Sequence, residues 1–156
     1  FNYYKMVRIA LLKDIPQLTQ LMIKLLVHHQ EFHSLYAVDF DNQNELDHFF
    51  SDVLSQENIH IYVAEIEENL VGFIICSKHS RPNYFTIKSK GRIDSLFVEK
   101  EFRSHHLASK LVEKAISFLQ NEPYIELEFT AENQLAKSFW LNKGFKILNH
   151  QAILKM

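Results

Sequence analysis

Apolar residues recur along this chain with two periods, alternate positions in strands and every third or fourth in helices, and the switches between them predict the elements. Val7 to Leu12 reads as a first strand. Asp14 then stands as N-cap and Pro16 in the first turn of a helix whose Ile15, Leu18, Leu21, Met22, Leu25 and Leu26 face a core. Phe32 to Phe40 is expected to be a mobile loop, and 41–55 a second helix, its Phe49, Phe50, Val53 and Leu54 interleaved with Asp47 and Asp52. Ile59 to Ile66 and Leu70 to Ser77 make a hairpin turning at Glu67-Glu68-Asn69, with Gly72 marking a bulge or a close backbone approach. After a polar connection from Lys78 to Lys90, Ile93, Leu96, Phe97 and Val98 predict another strand and Glu99 to Phe102 a break. A helix is expected over 104–120, with apolar residues at 107, 111, 112, 115, 116, 118 and 119. Tyr124 to Thr130 alternates as a strand, and Glu132 to Lys143 forms the last helix, closed by Gly144 in a left-handed cap. Phe145 to Leu148 and Ala152 to Met156 would pair as a terminal hairpin. With no internal repeat and no linker, the expectation is one domain.

Composition adds bounds to this picture. At 156 residues and 47% hydrophobic, the chain can bury a sizeable core, and 13% aromatic residues argue against disorder. The apolar-rich run from Leu18 to Val27 is broken by Thr19, Gln20 and Lys24, so no transmembrane span is expected. No charged-then-apolar leader is evident, and Cys76 is alone, so the expected setting is cytoplasmic and reducing, with Cys76 as a packed core thiol. The chain starts at Phe1, while Met6 offers a natural start; the domain is therefore expected over 6–156, with 1–5 as an added or leading segment.

Charge is unevenly spread. The formal net charge is −2, yet Leu25 to Ser77 contains no Lys or Arg against ten acids, whereas Lys78 to Lys114 holds nine Lys/Arg against four acids. A slightly acidic chain with one basic stretch argues against a broad nucleic-acid footprint and for a small polyanion. His29 and His33 stand four apart, a spacing compatible with a metal on a helix, but no third ligand accompanies them and no metal is expected.

The strand, break and helix from Arg92 to Gln120 together make an anion site, because the first N–H groups of a helix are unpaired and carry partial positive charge. Arg103, His105 and His106 add donors there, Ser104 and Ser109 add hydroxyls, and Leu107 and Ala108 open the helix. By itself this stretch fits any strand-to-helix connection of an α/β domain.

The segment Phe102-Arg103-Ser104-His105-His106-Leu107-Ala108 resembles the acyl-CoA signature of the GNAT superfamily of N-acyltransferases, R/Q-x-x-G-x-G/A after a strand ending Leu-x-Val. Arg103, Ala108 and Leu96-Phe97-Val98 match it, while His106 stands where the pattern wants Gly. A second block, Leu127 to Phe145, resembles the family's ending N-x-x-A-x-x-F-Y-x-x-x-G-F through Asn133, Ala136, Phe139, Gly144 and Phe145, with Trp140 in place of Tyr. The element order also resembles the family's, from Val7 nearly to the end.

The resemblance implies an α/β (α+β) GNAT fold, a mixed sheet of about seven strands with a splayed pair and about four helices. It implies acetyl-CoA as co-substrate. Leu96, Phe97 and Val98 would offer backbone groups to the pantetheine arm and, at a bulge, to the acyl oxygen. Arg103, Ser104, His105, His106, Leu107, Ala108 and Ser109 would wrap the pyrophosphate, and Asn133 and Phe139 would meet the arm from the other side. An amine that attacks a thioester must lose a proton, so a carboxylate is wanted nearby. Glu128 lies five residues before Asn133, where several family members have Glu, and Asp94 on the opposing strand is the second candidate. Trp140 takes the position of a Tyr held to protonate the departing thiolate, and an indole N–H only donates a hydrogen bond.

The function expected is acyl-CoA-dependent N-acyl transfer, acetyl first, to a primary amine. The acidic stretch 31–57 favours a cationic acceptor, a small molecule or a peptide. The competing expectation is a weakened GNAT domain that senses acyl-CoA or a protein partner. Neither nucleic acid nor membrane is an expected partner, and the chain would act as a monomer or homodimer.

Overall fold

The computed structural model describes residues 5–39, 41 and 43–156, and their side chains except those of Gln43 and Ser104. Residues 1–4 of the expected leading segment, Phe40 in the loop before the second helix, and the hydroxyl of Ser104 therefore lie outside the described residues, while Lys5 of that segment opens β1.

In chain order the regular elements are β1 (Lys5–Ile9), α1 (Ile15–Gln30), α2 (Gln43–Leu54), β2 (Ile59–Ile66), β3 (Asn69–Ser80), β4 (Ser89–Val98), α3 (Leu107–Leu119), β5 (Ile125–Glu126) and α4 (Gln134–Asn142). The five strands form one sheet in sequence order, antiparallel through β4, with β5 parallel to β4 across the α3 crossover.

β3 carries the core. Leu70 to Ser77 is buried without interruption because both sheet faces are covered. On one face Phe73 and Ile75 pack with Leu18, Leu21, Met22 and Leu25 of α1 and Phe50 and Val53 of α2. On the other, Ile74 and Cys76 meet Leu107, Leu111, Val112, Ala115 and Leu119 of α3 and Trp140 of α4. The helical periodicities seen in the sequence are these two apolar faces. Cys76 is wholly buried, and burial, with Asp94 nearby, pushes its thiol up to about 12.

Three local features differ from expectation. Asp14 occupies the N-cap position of α1 without capping it; its carboxylate turns back to accept from Leu11 N–H at 2.7 Å and from the Arg8 guanidinium at 2.7 and 2.9 Å. The anticipated strand 124–130 pairs only at Ile125 and Glu126. The terminal hairpin is not formed: 145–156 has no strand, Leu148 and Leu154 are 92% and 83% exposed, and the sheet has five strands where about seven were expected. The last two differences share a cause, since a strand needs a partner edge. β4 leaves β5 after Arg92, and no strand from the C-terminal segment lies on the other side of β5 to hold 127–130.

Gly144 does end α4 in the left-handed region, at φ 95°, its N–H donating to Leu141. Gly72 is a close approach: a Cβ there would lie 2.8 Å from the Phe97 carbonyl oxygen.

Candidate active site

The site begins where the sheet opens. β4 and β5 pair at Gly91–Ile125 and Arg92–Glu126, and Gly91 N–H donates to Tyr124 at 2.8 Å; beyond that no pairing joins them. The opening coincides with a bulge. Against β3, Cys76 faces Ile93 and Ile75 faces Ser95, so Asp94 is the extra residue that bends β4 away. The bulge was expected at Leu96–Val98; it lies instead at Asp94, two residues earlier. Phe97 and Val98 are buried on opposite sheet faces and Leu96 is half-buried, so this stretch offers the cleft its backbone and not its side chains.

The lower end of the cleft is the start of α3. A 3₁₀ turn over Lys100–His105 leads to His106, which sits in the left-handed region at φ 59° and ψ 17°. That conformation is the reason a glycine suits the position, since a side chain there crowds its own backbone. The chain nevertheless makes the turn with His106, and the first N–H groups of α3 emerge beyond it. Arg103 folds back so that its Nε donates to the Val98 carbonyl at 3.0 Å, tying the turn to the end of β4. His105 is held from β1 by the ammonium of Lys5. Leu107 is wholly buried and Ala108 half-buried; only their backbone is available to a ligand.

Lys143 completes this corner. Its Nζ donates to Ser109 Oγ at 2.8 Å and lies 5.6 Å from the centre of the Phe139 ring, so a cation from the end of α4 reaches the first turn of α3. Sequence reasoning missed it. Its one signal was a lysine directly before the capping glycine, which says nothing about α3 lying alongside.

A second cluster gathers at the upper end, on the sheet face that carries α1 and α2. Arg92 is its hub. The guanidinium meets Asp94 at 3.3 Å on its own strand, and Glu126 at 3.2 Å and Glu128 at 3.5 Å across the split. Lys90 also contacts Glu126 at 2.7 Å. Burial alone would raise the Glu126 pKa, but the hydrogen bonds and charges of Lys90 and Arg92 hold it below the ordinary carboxylate range. Asp94 further accepts from Ser77 Oγ at 2.6 Å. Glu128 is 80% exposed and Asp94 31%, so the two candidate proton acceptors differ: one projects into open space, the other is tethered. Three carboxylates against Arg92 and Lys90 leave the cluster net negative.

From α4, the Asn133 side chain accepts Ala136 N–H at 3.1 Å as the helix N-cap, so its carbonyl is engaged and its amide N–H₂ remains to donate. Phe139 is half-buried. Trp140 is 6% exposed, edge-on to Phe139 at 4.9 Å and to Phe145 at 5.4 Å between ring centres. Its ring is part of the core beneath α4. The structure thus brings Asp94 and Glu128 around Arg92, brings Arg103 to Ser109 to one helix start, and packs Trp140 behind them.

Comparison with known proteins gives this geometry a family. The model of the GNAT acetyltransferase family matches residues 21–145. The chain belongs to that family. An N-acetyltransferase of uncharacterised specificity from Archaeoglobus fulgidus is 29% identical over 125 residues, covering 77% of this chain and 82% of the relative. Among solved structures, a predicted acetyltransferase from Clostridium acetobutylicum crystallised with acetyl-CoA superposes at TM-score 0.79 with 19% identity, covering 97% of this chain and 96% of that one. An aminoglycoside N-acetyltransferase crystallised with CoA superposes at 0.76 with 12% identity, over 100% and 97%. The family assignment makes this protein an acetyltransferase of the GNAT fold, and the splayed β4–β5 pair is where that fold opens. No helix among the described residues is long and apolar enough to cross a membrane.

Proposed function

We propose that this protein transfers the acetyl group of acetyl-CoA to a primary amine that carries positive charge. The observation that carries the reading is the split between β4 and β5, with a basic helix start at one end and a net acidic cluster at the other. Acetyl-CoA, when bound, supplies the activated acyl group. The donor set fits such a molecule: the α3 N–H groups, Arg103, His105, His106 and Lys143 suit a pyrophosphate, and the unpaired edge of 95–98 suits an amide-bearing arm.

On the acceptor side, Asp94, Glu126 and Glu128 favour an ammonium group arriving from solvent. Glu128 is the residue we assign to take the amine proton, because it is exposed at the split and, among the described residues, held by Arg92 at 3.5 Å. Arg92 keeps that carboxylate at the rim. Phe139 and the Asn133 amide would flank the arm, and Trp140 would form the wall behind it. The aminoglycoside acetyltransferase among the structural neighbours acts on a polycationic aminosugar, which agrees with an acceptor of this class.

The burial of Trp140 favours keeping one other reading in view, a domain that holds acyl-CoA without rapid turnover, because no hydroxyl acid stands at that position. One experiment separates them: thiol release from acetyl-CoA with spermidine, an aminoglycoside, a basic N-terminal peptide and glycine as acceptors, alongside calorimetry with CoA. Amine-dependent thiol release, faster with the cationic acceptors, is the expected result. Binding without release supports the second reading, and absence of binding at millimolar CoA removes both.

A further inference from the structure

Ser77 and His79 lie outside the family signatures, yet they touch the candidate site. Ser77 is 2% exposed, and its Oγ sits 2.6 Å from Asp94 Oδ2 and 2.7 Å from His79 Nε2. A hydroxyl has one hydrogen to give. An ionised carboxylate can only accept, so that hydrogen lies toward Asp94 and Oγ must accept from the imidazole. The direction of the chain is therefore fixed: His79 Nε2–H donates to Ser77, and Ser77 O–H donates to Asp94. His79 is exposed at one end, the hydroxyl is buried in the middle, and the far end is the bulge at which β4 leaves β5.

We propose that Ser77 and His79 are positioning residues for Asp94, a two-bond line that holds this carboxylate aimed toward the acceptor side. The line deepens the acyl-transfer reading and rests on it for the role of Asp94. Its effect follows from hydrogen bonding to the charged form: a chain of donors ending on a carboxylate stabilises the anion, and each bond polarises the next.

Other charges face the same spot. Arg92 stands opposite Ser77 and Lys90 opposite His79 in the β3–β4 register, and Glu126 of β5 and Glu128 just beyond it hold Arg92. Lys78 neighbours His79 in sequence. These set the background but do not lie between His79 and Asp94. Oδ1 of Asp94 is taken by Arg92 and Oδ2 by Ser77, which leaves the carboxylate fixed in plane.

The test begins without any acceptor. Nitrogen-15 histidine NMR of the free protein reads the His79 tautomer in wild type, Asp94→Asn and Ser77→Ala. The expected result is that wild-type neutral His79 is the Nε2–H tautomer and that this preference weakens in both variants, because the acceptor line that Nε2–H feeds is broken. An unchanged His79 in both variants, or the opposite tautomer, overturns the proposal. Turnover is then measured with acetyl-CoA and spermidine. His79→Ala is expected to lower kcat by about 3- to 30-fold with little change in KM. His79→Gln, whose amide N–H can still donate but does not titrate, should recover most of kcat. An effect on KM alone, or a glutamine variant as slow as the alanine one, overturns the positioning role. If wild type releases no thiol with any amine tried, the acyl-transfer reading fails, and the NMR result still decides whether the line exists.

Discussion

Arg92 and Glu128 face each other across the gap where β4 and β5 part, Nη2 to Oε1 at 3.5 Å, although the last paired partner of Arg92 is Glu126, two residues before Glu128. The contact spans the candidate cleft without closing it. If Glu128 takes the amine proton, Glu128→Gln should lower kcat/KM by about 10- to 1000-fold, most severely at neutral pH and below, where free amine is scarce. CoA affinity by calorimetry should barely move, since the carboxylate lies at the opposite end from the basic helix start. A variant with full activity would shift the proton-accepting role to Asp94.

His106 holds φ 59° immediately before α3, a region that costs a residue with a side chain about 1–2 kcal/mol and a glycine almost nothing. His106→Gly should therefore raise stability in urea unfolding by roughly 0.5–1 kcal/mol, after allowing for the greater freedom of glycine in the unfolded chain. KM for acetyl-CoA should stay level or fall, because the helix start is unchanged and a side chain is removed from its mouth. His106→Val should lose stability. A destabilised glycine variant would mean that the imidazole makes a contact that outweighs the backbone.

The hairpin between β2 and β3 turns through Glu67 and Glu68, both at positive φ, 49° and 66°. Two-residue turns of that form favour Asn-Gly, since both central residues must be left-handed. The pair Glu67→Asn and Glu68→Gly should add about 1–2 kcal/mol to unfolding free energy and leave turnover as it was. Loss of stability would show that the glutamates hold the turn by contacts beyond its backbone.

These cases show what was legible in the sequence. The helices, the hairpin and the signature at Arg103 could be read because each depends on spacing within a short window. The cost at His106 was also visible, since the motif wants Gly there, though the structure shows a backbone angle behind it. Other features depend on what lies across the fold. Tyr124 to Thr130 has the alternation of a strand, but alternation describes faces, and pairing needs an edge that β4 withdraws at Asp94. The Arg92 hub and the Ser77–His79 line arise from cross-strand register, which no local pattern records. Lys143 and Ser109 are 34 residues apart and meet only because α4 packs beside α3.

Asp14 is 3% exposed and bound by Arg8 and Leu11 N–H, an arrangement that ties β1 to the start of α1. Burial would raise its pKa, but the Arg8 hydrogen bonds, the Leu11 N–H and the Arg8 charge outweigh it and hold the carboxyl below the ordinary range. A depressed native pKa stabilises the fold above the unfolded value of about 3.9, and that contribution drains away as pH falls through the native value. Asp14→Asn should cost about 2–3 kcal/mol at pH 7, less than breaking a fully buried pair because Arg8 retains Glu65 at 2.8 Å. Its unfolding free energy should also change less than that of wild type between pH 5 and acid. Equal pH slopes in the two proteins would place the acid sensitivity elsewhere.

Gly72 links packing to the cleft. A Cβ at this position would lie 2.8 Å from the Phe97 carbonyl oxygen, 3.0 Å from Val98 Cγ2 and 3.3 Å from Val98 Cα, so the obstacle is largely backbone and cannot turn aside. Gly72→Ala should push the end of β4 away from β3 and cost about 1–3 kcal/mol. Phe97 and Val98 are the stretch whose backbone borders the proposed pantetheine path, so KM for acetyl-CoA should rise in the surviving folded protein. Gly91 provides the control, being the other tightly packed strand glycine. Its added Cβ would meet the Leu119 side chain at 3.1 Å, where β4 is still paired with β5 and the obstacle is a side chain with room to adjust. Gly91→Ala should cost less and leave KM for acetyl-CoA unchanged. If the two alanine variants raise KM alike, the end of β4 is not the wall of the acyl-CoA site, and the path lies elsewhere along the split.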